Sequence, residues 1–206
     1  YKQINWNKSM SDYRAIADVG ETLIELLRNN MQDLIPKQSI VMASPGEIEI
    51  NDDVRLSLFL YQVLESVYLK NQEMQIKDPS TLKFPPIILD LYYMLTSYPS
   101  GTQDITEKTR EEHSILGKAI QVINDNATLS GSALRGSLVA NSHELHITLT
   151  PLSLDDMTKM WTTFPGKPFR SSICCLVTPV IIDSGREVTV QRVISKESDY
   201  NRIVPE

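Results

Sequence analysis

Chemistry in a sequence begins where histidines, cysteines or carboxylates stand close enough to share a proton or a metal. The nearest approach here is His143-Glu144-Leu145-His146. A zinc-binding helix needs its histidines four apart, on one face, with the glutamate beside them. These are three apart, and Glu144 to Thr150 (ELHITLT) alternates as a strand, sending His143 and His146 to opposite faces. Gly131 to Ser137 (GSALRGS) has the composition of a phosphate loop. It lacks the closing Gly-Lys-Ser/Thr, and it fails the Gly-x-Ser-x-Gly pattern of a nucleophile elbow. It reads as a connector.

His113, among Glu111, Glu112 and Ser114, reads as a histidine paired to carboxylate rather than as a catalytic base. Asp90 interrupts the apolar run IILDLYY. A buried carboxylate needs a partner such as arginine or lysine, or it titrates upward, so a structural or intersubunit pair is expected there. The aspartates 52–53 and 155–156 fall at a turn and a helix start, where carboxylates are ordinary. Tyr61, Tyr68, Tyr92, Tyr93 and Tyr98 read as strand packing rather than as a ligand-stacking surface. Cys174 and Cys175 are neighbours and cannot bridge each other without severe strain. On a strand they point to opposite faces and read as small hydrophobes in a reducing compartment. The sequence predicts no catalytic residue, no cofactor and no metal.

With 206 residues, 41% of them hydrophobic, the chain can bury one α/β core. A net charge of −6 argues against a general nucleic-acid binder, although twenty lysines and arginines leave room for a local basic patch. No stretch approaches the ~18–20 apolar residues that span a bilayer. A cytoplasmic chain with no nucleic-acid or membrane partner is expected. Residues 1–9 read as a leader, with Met10 a natural start.

The elements follow from periodicity. Ile16, Val19, Leu23, Leu26, Leu27 and Met31 predict a helix over about 13–31, capped by Ser11 or Asp12. Ser39 to Ala43 is a short β-branched run. Val54 to Lys70 opens with alternation that is apolar on both sides, as in a central strand. Phe84 to Tyr98 repeats that character. Asp104 with Glu107 resembles a capping box ahead of a helix carrying Ile115, Leu116, Ala119, Ile120 and Ile123. Residues 127–143, rich in Ser, Gly and Ala, read as a long loop or a small hairpin. Ser153 and Asp156 cap a short helix ending near Trp161. Strands follow at 144–150, 171–182 and 187–194. The fold class is α/β, a single mixed or antiparallel sheet flanked by helices.

Four blocks in register carry more than a pattern: LSLFLYQVLESVYLKN (56–71), FPPIILDLYYMLTSY (84–98), EEHSILGKAIQVINDNATL (111–129) and DMTKMWTTFPGKPFRSSICCLV (156–177). In that order they resemble the tube-cap or tail-terminator family of extracellular contractile injection systems, the antifeeding-prophage-like particles. The resemblance spans roughly residues 10–195, with Lys70 where arginine is commoner and Ser66 in place of an expected asparagine.

The resemblance implies a tail-terminator-like fold over 10–195, followed by a C-terminal arm, 196–206. It implies a homohexameric ring that binds the last layers of inner-tube and sheath subunits, at the particle end distal from the baseplate. It carries over no catalytic residue and no cofactor. Within the Ser/Gly-rich segment, Ser132, Leu134 and Arg135 are candidate interface residues on a projection towards tube, lumen or neighbour; a mobile loop is the alternative. Arg186, Arg192 and Arg202, from Ser184 onward, are candidates for an arm reaching sheath or an adjacent subunit; a disordered tail is the alternative. A sheath-end or tail-completion protein, and a small hydrolase using Asp90 and His113, remain as other readings.

Overall fold

The stripe Val19, Leu23, Ile24 and Leu27 forms the inward face of helix α1, Ala15–Asn30. The computed structural model describes residues 12–49, 52–70, 72–101, 104–140 and 144–190. Residues 1–9 and the arm at 196–206 lie outside these, as does Ser11. Asp12 braces the helix start, its carboxylate accepting the Arg14 amide at 2.8 Å.

The main sheet has six strands in the order β1-β2-β5-β8-β7-β6. They are β1 (Ile40–Met42), β2 (Leu56–Glu65), β5 (Ile87–Ser97), β6 (Thr128–Leu129), β7 (Leu145–Thr150) and β8 (Ser172–Ile182). Only β1 and β2 run parallel; the other neighbours are antiparallel. The strands apolar on both sides, β5 and β8, lie in the middle, as continuous burial requires.

One face packs on α1 and on α2, Ile105–Asp125, around Leu56, Leu58, Leu91, Tyr93, Cys175 and Val177. The opposite face packs on α3, Leu154–Trp161, around Met94, Met157, Trp161, Phe164 and Cys174. The period-two pleat therefore splits the adjacent cysteines between two cores, as expected, and both are buried free thiols. Burial pushes the Cys175 thiol up to about 12, and Cys174 beside it reinforces this. The helix caps are close to expectation. Asp104 accepts the Thr106 amide at 3.1 Å, but Glu107 pairs with Arg110 instead of closing the box. Ser153 caps α3 through the Asp156 amide at 3.1 Å.

Two expectations are corrected. The sheet is accompanied by a second one, three-stranded, in the order β3-β4-β9: Gln75–Asp78, Thr81–Lys83 and Glu187–Thr189. Strands of three or four residues with mixed charge show too little alternation to be seen in sequence. Their hairpin is closed by Asp78, whose carboxylate accepts both the amide and the hydroxyl of Ser80 at 2.9 Å. The strand expected over 187–194 contributes here rather than to the main sheet, and its residues from 191 onward lie outside the described ones.

Asp90 has a hydroxyl partner in place of a cation: its Oδ1 accepts Thr178 Oγ1 at 2.5 Å. This falls where Asp90 alone opposes Thr178 and Pro179, a bulge between Leu89–Val180 and Leu91–Val177. Proline brings no ladder donor, so the bulge sits where it does the least harm.

Candidate functional site

The residues that sequence reasoning singled out are not brought together. His146 is exposed on β7, its Nδ1 3.2 Å from Thr128 Oγ1, while His143 lies outside the described residues. His113 lies on the outer side of α2, in a shallow depression with Thr109, Arg110 and Ser114. Asp90 is occupied by Thr178 across the sheet. Among the described residues no group of three or more His, Cys, Asp or Glu gathers where a metal ion would fit.

The densest polar constellation was not anticipated. It joins the start of β2, the end of β5, the second and third turns of α2 and the entry to β8. Arg55 donates through Nε to the Tyr98 carbonyl at 3.0 Å and forms an ion pair with Glu111. Glu111 also accepts the Ser100 amide and hydroxyl at 2.9 and 2.8 Å. Glu112 is paired with Arg170, whose guanidinium lies 5.2 Å from the centre of the Tyr98 ring. The Glu112 carbonyl accepts the Ser97 hydroxyl at 3.0 Å.

Burial opposes ionisation of Glu111, but the Ser100 amide, the Arg55 guanidinium and the Ser100 hydroxyl outweigh it and hold the carboxyl below its ordinary range. Burial raises the Tyr98 phenol, with Ser57 and Arg170 pulling partly the other way. Paired charges of this kind fix the relative placement of elements. A visible signal did exist: opposite charges at the ends of apolar elements, in the Glu-Glu-His and Phe-Arg parts of the resemblance blocks.

Beside this cluster lies a concave surface formed by Pro45, Ile48, Tyr98, Trp161, Lys167 and Pro168. Lys167 is held there by the Ile48 carbonyl at 2.6 Å and by Glu49 at 3.3 Å. Trp161 meets Phe164 and Phe169 with ring centres 5.6 and 5.7 Å apart.

The candidate interface residues divide. Of the Ser/Gly-rich segment, the described residues 134–138 pack along α1. Leu134 and Leu138 are buried in the helical core. The Arg135 amide donates to Thr22 Oγ1 at 3.1 Å, and Ser137 donates amide and hydroxyl to Asp18 at 2.8 and 2.6 Å. Leu134 is therefore a core residue in this chain, because an apolar side chain between two one-turn helices has α1 within reach. Ser132 and the Arg135 side chain remain exposed. Arg186 is exposed on the way into β9, its guanidinium 4.2 Å above the Phe84 ring centre. Arg192 and Arg202 lie outside the described residues.

Fold and surface thus define an α/β domain built from a six-stranded mixed sheet between helices, with an outlying second sheet. The Pvc16 N-terminal domain family matches residues 18–196, and the chain belongs to that family. Two solved structures share its fold. One is described as the sheath/tube terminator of PVC, an extracellular contractile injection system, in the extended state; it is 17% identical, with a TM-score of 0.64 over 92% of this chain and 64% of that one. The other is described as the tube-terminating cap of the anti-feeding prophage, 15% identical, with a TM-score of 0.62 over 94% of this chain and 62% of that one. The chain thus spans under two thirds of the length of either. No curated protein matches it in sequence.

Proposed function

We propose that this chain is the structural cap that terminates the inner tube of a contractile injection system. The observation that carries the reading is the backbone likeness, over more than nine tenths of the chain, to a sheath/tube terminator and a tube-terminating cap. Membership of the Pvc16 N-terminal domain family supports it. In this reading six copies close a ring on the last tube layer and engage the last sheath layer, at the end of the extracellular particle distal from the baseplate. The protein acts by binding, not by catalysis.

The physical logic is that of a growing polymer. Each tube layer presents the face that the next one binds, so a cap must bind that face and present no equivalent behind it. Head-to-tail contacts within the cap are heterologous and stop at a fixed number only if the rotation closes. Weak single contacts become strong when six linked copies engage together.

The test is to add the purified chain to tube fragments and free tube subunits. Ring-sized mass at tube ends, with tube elongation arrested at stoichiometric cap, is the expected result. Tubes that lengthen at the unchanged rate would overturn it.

A further inference from the structure

A buried indole usually finds an acceptor for its N–H, because an unmet donor shut away from water is costly. Trp161 is an exception. It is 5% exposed, and among the described residues its Nε1 is closed to solvent and has no hydrogen-bond partner. The buried layer packed with the ring is carbon and sulfur: Met94, Met157, Phe164 and Cys174. Those side chains supply no oxygen. The ring also lines the concavity beside the Arg170–Glu112 pair, a space of about 190 Å³. An oxygen for Nε1 has to come from that side.

The concavity suits a small anion on a carbon stem. Its walls include Pro45, Pro168 and the Tyr98 ring, and its charged lining is Lys167, Arg170 and Glu49. Two cations thus face one carboxylate, in a chain whose net charge is −6. The cations are held differently. Arg170 is paired with Glu112 and lies over the Tyr98 ring. Lys167 is anchored by the Ile48 carbonyl at 2.6 Å, while Glu49 stands 3.3 Å away with its side chain 74% exposed. A carboxylate so exposed adds little and exchanges readily. The carbonyl therefore keeps the ammonium in place, and its charge stays available to an incoming anion.

We propose that this concavity recognises one carboxylate, carried by an aspartate or glutamate side chain of a partner protein. The carboxylate accepts from Trp161 Nε1 and replaces Glu49 on Lys167, with its methylene stem against the prolines. The space admits one side chain rather than a stretch of main chain, and its apolar walls favour a stem that free phosphate lacks. The half-exposed Phe169, its ring centre 5.7 Å from that of Trp161, is the part of the wall free to swing aside for entry. That the carboxylate belongs to a partner protein rests on the cap reading above; the pairing chemistry does not.

The experiment adds N-acetylglutamate α-amide to the isolated, isotope-labelled chain and follows the Trp161 indole N–H by NMR, its signal assigned with Trp161→Phe. A saturable downfield movement is expected, with N-acetylglutamine α-amide and inorganic phosphate leaving the signal in place. Lys167→Met should weaken binding about tenfold, the scale of one charge-assisted bond. Glu49→Gln removes a competitor from an exposed position and should strengthen it, an effect that loss of folding cannot produce. A signal that stays still, that moves equally with the neutral amide or phosphate, or a Glu49→Gln chain that binds no better overturns the site. Tube and sheath fragments then test the source of the carboxylate. Lys167→Met that loses binding to either supports a partner protein, and Lys167→Met that binds both as the wild type does overturns that assignment. Wild-type chain that binds the glutamate compound but neither fragment sinks the cap reading and leaves the carboxylate site standing.

Discussion

At the scale of residues, the Arg55–Glu111 and Arg170–Glu112 pairs tie α2 to three strand ends. Glu111→Gln should lower stability by roughly 1.5–3 kcal/mol at neutral pH, the usual worth of a hydrogen bond to a charged group. The sign of its pH dependence follows from the depressed folded-state pKa. Stability from the carboxylate is fully present above its ordinary value of 4.5 and is lost as pH falls through the lower folded value. Urea unfolding at neutral pH and in acid should show the gap between wild type and variant closing on acidification. A gap that stays constant would place the stabilisation elsewhere. Individual side-chain fates were the least legible part of the sequence. Asp90 was readable as a carboxylate needing a partner, but the partner is set by a bulge that brings Thr178 across, which depends on register. Leu134 looked available because it stands in a Ser/Gly-rich segment, yet nothing local indicated that α1 lies beneath it.

At the scale of elements, the segment 130–140 is held to α1 chiefly through Asp18. Gly136 has φ 57°, and a Cβ there would run into the Asp18 carboxylate, so glycine permits both the turn and the close approach. Asp18→Ala should cost about 1–3 kcal/mol by stranding the Ser137 amide and hydroxyl. Amide exchange at 135–138 should accelerate while the central strands β5 and β8 stay protected; uniform acceleration would mean that the segment is not a separate unit. Long elements were legible because their patterns repeat. The helix stripe of α1 and the doubly apolar β5 and β8 identify themselves by period and length. The short strands β3 and β4 carry one alternation or less, and only the partner strand β9, more than a hundred positions away, makes them a sheet.

At the scale of the molecule, both cores are assembled, among the described residues, from positions 15–182. Removing 196–206 should leave the thermal midpoint within about 2 °C, less than ~1 kcal/mol for a chain of this size. If the arm reaches the sheath, the same deletion weakens sheath attachment while tube capping persists. Co-sedimentation with sheath and with tube, run separately, distinguishes these, and unchanged sheath binding would remove the arm from the account. The two cores also give the chain a pair of built-in clocks. Cys174 belongs to the layer under α3 and Cys175 to the layer under α1 and α2, one bond apart in sequence and on opposite sides of the same strand. Each thiol becomes reactive only when its own layer lifts. The order in which a reagent marks them therefore times which side of the protein opens first as the chain is heated.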